Sequence, residues 1–250
     1  MRLLSLAAIA IGSTSIMSTL AQAAEIRAFV TGAARPAFTE LVPRFERSTG
    51  HKVIAEFGLP PALVKRADAG EPFDVLILSY DIEPLIKQGK LASGTRTVLG
   101  RTGVGIAIPQ GAPKPKFGNA DELKGSLLAA KFIATSGEGS SGRYVLTLLD
   151  RLGIADQVKP KIKSGASGAA AKLLAGREVD FAVIGLPPVT NVPGVEWLGY
   201  LPDNLNSWLP FTGGVNPKAK EPAAARDLLK FLTTPEAVSV FKAKGLEPAS

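Results

Sequence analysis

The chain has 250 residues, a formal net charge of +7, one histidine and no cysteine. Without cysteine there is no disulfide framework, no thiolate-bound zinc or iron–sulfur cluster and no thiol nucleophile; a multi-histidine metal site is impossible, and a Ser-His-Asp triad would depend on His51. A hydrophobic fraction of 46% against 20% charged residues describes a globular chain of one large domain or two small ones, and the positive balance favours anionic partners without separating nucleic acid, lipid surface and small anions.

Met1 to Ala23 has the three parts of a secretory signal: a basic start with Arg2, an apolar run from Leu3 to Ile11, and a small-residue exit at Ala21-Gln22-Ala23. The run is shorter than the roughly 18–20 residues that span a bilayer, and Gly12-Ser13-Thr14 interrupts it. The mature chain is therefore expected to start near Ala24, exported and soluble, which in a bacterium means the periplasm. No cysteine follows the apolar run, so no lipid anchor is expected. Loss of Arg2 lowers the charge to +6.

Glu25 to Val30 predicts a strand, and Thr31-Gly32-Ala33-Ala34 turns into a helix with Arg35 and Pro36 in its first turn, where proline is tolerated. Leu41, Val42 and Phe45 keep helical spacing and Gly50 supplies the stop. Lys52 to Phe57 is a second strand; Gly58-Leu59-Pro60-Pro61 opens a helix ending at Gly70. Asp74 to Leu78 is a continuous apolar run, as a strand buried on both faces should be, and Ser79-Tyr80-Asp81 starts a helix reaching about Gln88. This β-turn-α order, three times over, argues for a parallel sheet flanked by helices.

The pattern resumes with a strand at Val104 to Ile108, a Pro/Lys-rich connection from Gly111 to Phe117, and a helix over Asn119 to Ala129 with Asp121 and Glu122 in its first turn. Lys131 to Thr135 reads as a strand, followed by Gly137-Glu138-Gly139-Ser140-Ser141-Gly142 and an amphipathic helix from about Arg143 to Leu152. Val158 to Lys163 is read as a strand with Lys159, Lys161 and Lys163 on its solvent side. Ser167 is expected to cap a helix ending at Gly176. Asp180 to Ile184, Val195 to Leu201 and Leu209 to Val215 read as strands, and Pro222 to Thr233 and Pro235 to Lys244 as two helices.

In open parallel sheets, ligands bind beyond the carboxyl ends of strands, where loops enter helix N-termini whose free N–H groups hold anions. Small and hydroxyl residues recur at those places: Thr31 and Gly32, Gly58, Ser79, Ser140 and Ser141, and Gly185. Helix capping explains any one of them alone; their recurrence is what favours binding. Gly137 to Gly142 also matches the dinucleotide pattern G-x-G-x-x-G, but the next strand ends in Lys163-Ser164-Gly165 with no acid for a ribose hydroxyl, and the chain is exported. Enzyme signals are sparse: there is no G-x-S-x-G or H-E-x-x-H, and His51 sits in a polar connection expected to face solvent. Asp74 and Asp180 each open an apolar strand, which favours a structural role at a sheet end. The basic residues are scattered with no aromatic interleaving, so no nucleic-acid partner is expected.

These features resemble the molybdate-binding family of periplasmic solute-binding proteins of ABC importers. The resemblance rests on IRAFVTGAARPAFTELVPRFERSTGHKVIAEFG, AGEPFDVLILSYDIEPLIKQGKL, SSGRYVLTLLDRLGIAD and REVDFAVIG. It implies a type II periplasmic-binding-protein fold: two α/β lobes, each a mostly parallel sheet flanked by helices, joined by two crossover strands. Residues 24–102 plus 210–250 would form the first lobe and 103–209 the second. It also implies an anion held in the interlobe cleft by neutral donors, hinge closure, a membrane permease as partner, a monomer, and no cofactor or metal ion. In the family a serine follows each of the first two strands. Here the first position falls in Thr31-Gly32-Ala33, and the second in Gly58-Leu59-Pro60, which lacks a hydroxyl. Arg35, on a first helical turn, is the candidate to compensate by facing a carboxylate or phosphate; pointing into solvent is its other reading. The candidate ligand-binding set is Thr31, Gly32, Arg35, Gly58 and Leu59 from the first lobe, with Ser140, Ser141, Gly142, Tyr144 and Gly185 from the second. Molybdate or tungstate is the ligand the resemblance implies. A small organic acid, a sensing role and a secreted enzyme stand as alternatives.

Overall fold

A computed structural model describes residues 23–166 and 168–248. The signal-segment reading, apart from Ala23, and the capping assigned to Ser167 lie outside the described residues. In chain order the elements are β1 (Glu25–Thr31), α1 (Arg35–Thr49), β2 (Lys52–Gly58), α2 (Pro60–Asp68), β3 (Val75–Leu78), α3 (Glu83–Lys87), β4 (Thr97–Thr102) and β5 (Val104–Pro109). They continue with α4 (Ala120–Ala129), β6 (Ile133–Ala134), α5 (Ser140–Arg151), α6 (Ala155–Val158), β7 (Ile162–Lys163), α7 (Ala169–Ala175) and β8 (Phe181–Gly185). Last come β9 (Val195–Tyr200), β10 (Leu209–Val215), α8 (Pro222–Phe231) and α9 (Pro235–Ala243).

Among the described residues the strands form two five-stranded sheets, ordered β2-β1-β3-β10-β4 and β7-β6-β8-β5-β9. In the first, β2, β1 and β3 are parallel, while β10 is antiparallel to both β3 and β4 and so runs against the other four. The second repeats the plan, with β5 as the reversed strand. Strand periodicity then sorts the cores. Ile26, Ala28 and Val30 of β1, with Val75 and Ile77 of β3, pack under α1, α8 and α9, while Phe29, Leu76 and Leu78 face the opposite layer with Leu63 and Leu85. In the second sheet Ile106, Ile108, Phe181 and Val183 meet α4 and α5, and Ala107, Ala182 and Ile184 meet α7. At about 1.5–3 kcal/mol for each fully buried large side chain, these four layers hold the two lobes.

The lobes are joined twice. β4 passes through Gly103 directly into β5, and β9 returns through 201–208 into β10. The two paths lie side by side: Leu209 pairs with Thr102, Tyr200 pairs with Gly105, and the Leu201 N–H donates to the Val104 carbonyl at 2.9 Å. Asn206 ties them at the junction, its Oδ1 accepting from the N–H groups of Val104 and Ser207, each at 2.8 Å. Gly105 lets Trp197 lie against the crossing: a Cβ there would sit 2.5 Å from Trp197 Cη2 and 2.1 Å from the Gly199 carbonyl oxygen.

Four local expectations change. β4 was not foreseen. Val158 to Lys163 is the end of α6, a 3-10 turn at Lys159–Lys161 and the two-residue β7, because Pro160 has no N–H for a ladder. α5 begins at Ser140 rather than Arg143. His51 is buried, not solvent-facing: its Nδ1 accepts from the Ala24 N–H at 3.1 Å and its ring lies 6.0 Å from that of Phe45. Asp74 and Asp180 do knit sheet ends, Asp180 Oδ2 accepting from the N–H groups of Lys131 and Phe132 at 2.7 and 3.0 Å.

Candidate functional site

The strands deliver their carboxyl ends to one place. The loops after β1, β2 and β3 of the first sheet and after β6, β7 and β8 of the second line a shared cavity holding about 590 Å³ of empty space, part of it open to solvent. Hydroxyls gather where β1, β3 and β6 end. Ser79, at the exit of β3, lies with its Oγ 2.8 Å from Ser140 Oγ at the start of α5, so this bond crosses from one lobe to the other. Thr31, at the end of β1, stands 3.3 Å from Ser79 on the other side. All three side chains are buried.

The loop after β6 is pinned by its own hydroxyls. Ser136 Oγ accepts from the Gly142 N–H at 2.7 Å and lies 2.8 Å from Ser141 Oγ, and Thr135 Oγ1 accepts from the Gly137 N–H at 3.2 Å. The Arg143 N–H is taken by the Gly139 carbonyl. The N–H groups of Ser140 and Ser141 belong to the first turn of α5, where no intrahelical acceptor serves them and the positive end of the helix dipole lies, and both residues line the cavity. A hydroxyl can donate to a ligand or to its neighbour, so the Thr31–Ser79–Ser140 chain can turn its protons inward when an anion arrives.

Apart from Thr102 at the end of β4, the rest of the wall is apolar. Leu59 and Pro60 come from the end of β2, Pro187 and Pro188 from a 3-10 turn after β8, Ala166, Ala169 and Ala170 from the entry to α7, and Leu209 and Phe211 from β10. Among the described lining residues none carries a formal charge. The aromatic hydroxyl of Tyr80 follows Ser79 in the chain; burial raises its pKa, against an opposing pull from Arg143, whose guanidinium carbon lies 5.4 Å from the Tyr80 ring centre across the lobes. It stays neutral at physiological pH.

Of the sequence-derived set, the cavity gathers Thr31, Leu59, Ser140, Ser141 and Gly185. Gly32 opens the one-turn helix between Thr31 and Arg35, beside the cleft, and that turn meets Pro187–Val189 of the other lobe. Gly58 closes β2 one residue short of the wall, and a Cβ there would meet Leu63 at 3.1 Å. Gly142 serves the loop rather than the cavity surface. Two residues point elsewhere. Arg35 is exposed and stacks on Phe57, 4.1 Å from its ring centre, because that ring offers a cation–π partner on the adjacent edge strand. Tyr144 packs into the second-lobe core and donates its hydroxyl to the Leu205 carbonyl at 2.8 Å. The set lacked Ser79, Thr102, Thr135 and Ser136; the strand-end rule had reached Ser79 without ranking it, reaches Thr135 and Ser136 once the short β6 is placed at Ile133–Ala134, and missed Thr102 because β4 was not foreseen.

Two α/β lobes with reversed crossover strands, closing hydroxyls and helix ends around one cleft, define a type II periplasmic binding protein. The chain matches the family model described as bacterial extracellular solute-binding protein over residues 26–247, and it belongs to that family. It is 28% identical over 251 residues to aconitate isomerase from a Pseudomonas species, covering 96% of this chain and 95% of that protein. It is equally 28% identical over 251 residues to the molybdate-binding protein ModA of Azotobacter vinelandii, covering 95% of each. The solved structure of the A. vinelandii periplasmic molybdate-binding protein superimposes with a TM-score of 0.74 at 18% identity, over 90% of this chain and 100% of that one. The protein is thus a solute-binding protein of the ABC-transporter type, related to the molybdate-binding proteins.

Proposed function

We propose that the protein is the periplasmic receptor of an ABC importer, capturing a small anion between its lobes and delivering it, as a monomer, to an inner-membrane permease. Export would follow from cleavage of residues 1–23, and the hinge would lie where residues 24–102 plus 210–250 meet 103–209. The observation that carries the reading is the Ser79–Ser140 contact at 2.8 Å, a pair of neutral donors brought together from the two lobes at the N-terminus of a twelve-residue helix. An anion seated there gains donors from both lobes only in the closed form, and so draws an open–closed equilibrium toward closure. Thr31, Ser79, Ser136, Ser140 and Ser141 are the residues assigned to hold it, with Leu59 and Gly185 shaping the wall. Arg35, Gly58, Gly142 and Tyr144 act, on this reading, through the surrounding structure.

Molybdate or tungstate enters as a candidate from the name of one relative, and aconitate from the name of the other. Turnover is the second reading, since that relative is an isomerase. Isomerisation by proton transfer needs a group that takes up and returns a proton near neutrality. The described lining supplies Ser and Thr hydroxyls, and burial lifts the pKa of the adjacent Tyr80 further above the physiological range. Capture without turnover is the reading proposed first, on the donors that the two lobes bring together.

Isothermal titration of protein recovered from the periplasm, against molybdate, tungstate, sulfate, phosphate and small carboxylates, tests it. One anion is expected to bind tightly. Replacing Ser79 or Ser140 by alanine should weaken that binding about 10- to 100-fold, the effect of losing one hydrogen bond to a charged group. Conversion of aconitate by the wild-type protein would overturn the binding-only reading. Because the lining is uncharged, the affinity for a fully ionised ligand should change by less than about twofold between pH 6 and 9. A titrating step in that range would place an ionisable group in the site.

A further inference from the structure

We infer that the captured anion is an organic carboxylate with a short carbon skeleton, and not a bare tetrahedral oxyanion. This rests on the receptor reading above and specifies its ligand class. The cleft is divided by chemistry. Donors cluster where β1, β3 and β6 end, at Thr31, Ser79, Ser136, Ser140 and Ser141. The exits of β2 and β8 carry no hydroxyl of their own, although Thr102 at the end of β4 lies beside Gly185. At the β2 exit Leu59 occupies the N-cap of α2, and Pro60 and Pro61 follow it in the first turn; at the β8 exit Pro187 and Pro188 open the 3-10 turn. Prolines have no N–H, so two helical starts at the cleft lack the leading amides that such positions normally offer an anion.

A tetrahedral oxyanion presents oxygen in every direction. Any part of its surface turned toward Leu59, Pro60, Pro187 and Pro188 would give up hydration with nothing in return. A carboxylate carries its charge at one end. Its two oxygens suit the hydroxyl cluster and the start of α5, and its methylene or methine carbons suit the proline and leucine wall. No guanidinium lines the cavity, and Arg35, the candidate from the sequence, is stacked on Phe57.

The test compares acetate, propionate, butyrate and valerate with molybdate, tungstate, sulfate and phosphate, by isothermal titration of the periplasmic protein. At least one carboxylate should bind 100-fold or more tightly than any of the four oxyanions, with affinity rising as carbons are added. Leu59→Ser places a hydroxyl at an N-cap, where serine is favoured, so the variant should fold. It should bind the best carboxylate about tenfold more weakly and gain affinity for the oxyanions. Tighter binding of molybdate or tungstate than of every carboxylate would overturn the ligand class and leave the receptor reading intact. A natively folded protein that binds none of the eight anions would sink both.

Discussion

Replacing Gly142 with alanine is expected to abolish ligand capture, lowering affinity at least about 100-fold. A Cβ at this position would lie 2.1 Å from the Gly137 carbonyl oxygen, 2.7 Å from its nitrogen and 2.9 Å from its carbonyl carbon. All three are backbone atoms, so no rotamer change relieves the clash. The loop from Ser136 to Gly142 must open, and it is closed by two short bonds, from the Gly142 N–H to Ser136 Oγ at 2.7 Å and from the Gly139 N–H to the Ser136 carbonyl at 2.9 Å. Opening it moves Ser140 and Ser141 away from Ser79, and misplacement by about 1 Å is enough for a hundredfold effect. The cost in stability should be smaller, about 1–3 kcal/mol, because the strain stays within one loop. Gly125→Ala is the control. It sits inside α4, a Cβ there meets nothing within 4 Å, and alanine should stabilise the helix by about 0.5–1 kcal/mol without touching binding. Titration calorimetry and thermal melting of both variants separate the effects; Gly142→Ala binding within tenfold of wild type would show that the loop does not set the site.

The sequence made the lobes legible because their strands follow simple rules. Val75 to Leu78 and Phe181 to Ile184 are apolar throughout and are buried on both faces, and Gly50 stops α1 in the left-handed conformation expected of it. β4 was not legible because Thr97-Val98-Leu99-Gly100-Arg101-Thr102 neither alternates nor stays apolar. Its pairing comes from β10, more than a hundred residues later, and from a bridge to Glu247. The strand-end rule led to the right loops but could not rank the residues within them. Tyr144 is two residues past the Ser140-Ser141-Gly142 run, yet on a helix that offset turns it toward Leu205, as the 3.6-residue period requires. Arg35 has an aromatic partner in Phe57 that only the register of β1 against β2 brings near. Ser79 was visible as a strand-end hydroxyl, but its importance lies in meeting Ser140 of the other lobe, a contact between residues 61 apart.

Asp74→Ala should have the opposite signature, a large loss of stability with little change in binding. Asp74 is buried at the amino end of β3, far along the strand direction from Ser79. Its Oδ2 accepts from the Arg27 N–H at 2.8 Å, and its Oδ1 accepts from the N–H groups of Lys220 and Glu221 at 2.8 and 3.2 Å. One carboxylate therefore fastens β1 and the entry to α8 onto β3. Alanine removes three charge-assisted bonds and strands three donors, for a loss of about 3–5 kcal/mol. Asp74→Asn keeps one oxygen acceptor and should fall between. In urea titrations the midpoint should drop with Asp74→Ala, while the ligand titrates with unchanged affinity wherever the variant is folded. A variant that lost affinity while keeping stability would mean that the amino end of this sheet communicates with the cleft. The physical expectation is that it does not. The carboxyl ends of these strands end in hydroxyls and helix starts that a ligand can use, and their amino ends are closed by aspartates that satisfy backbone donors, so capture and cohesion are assigned to opposite edges of the same strands.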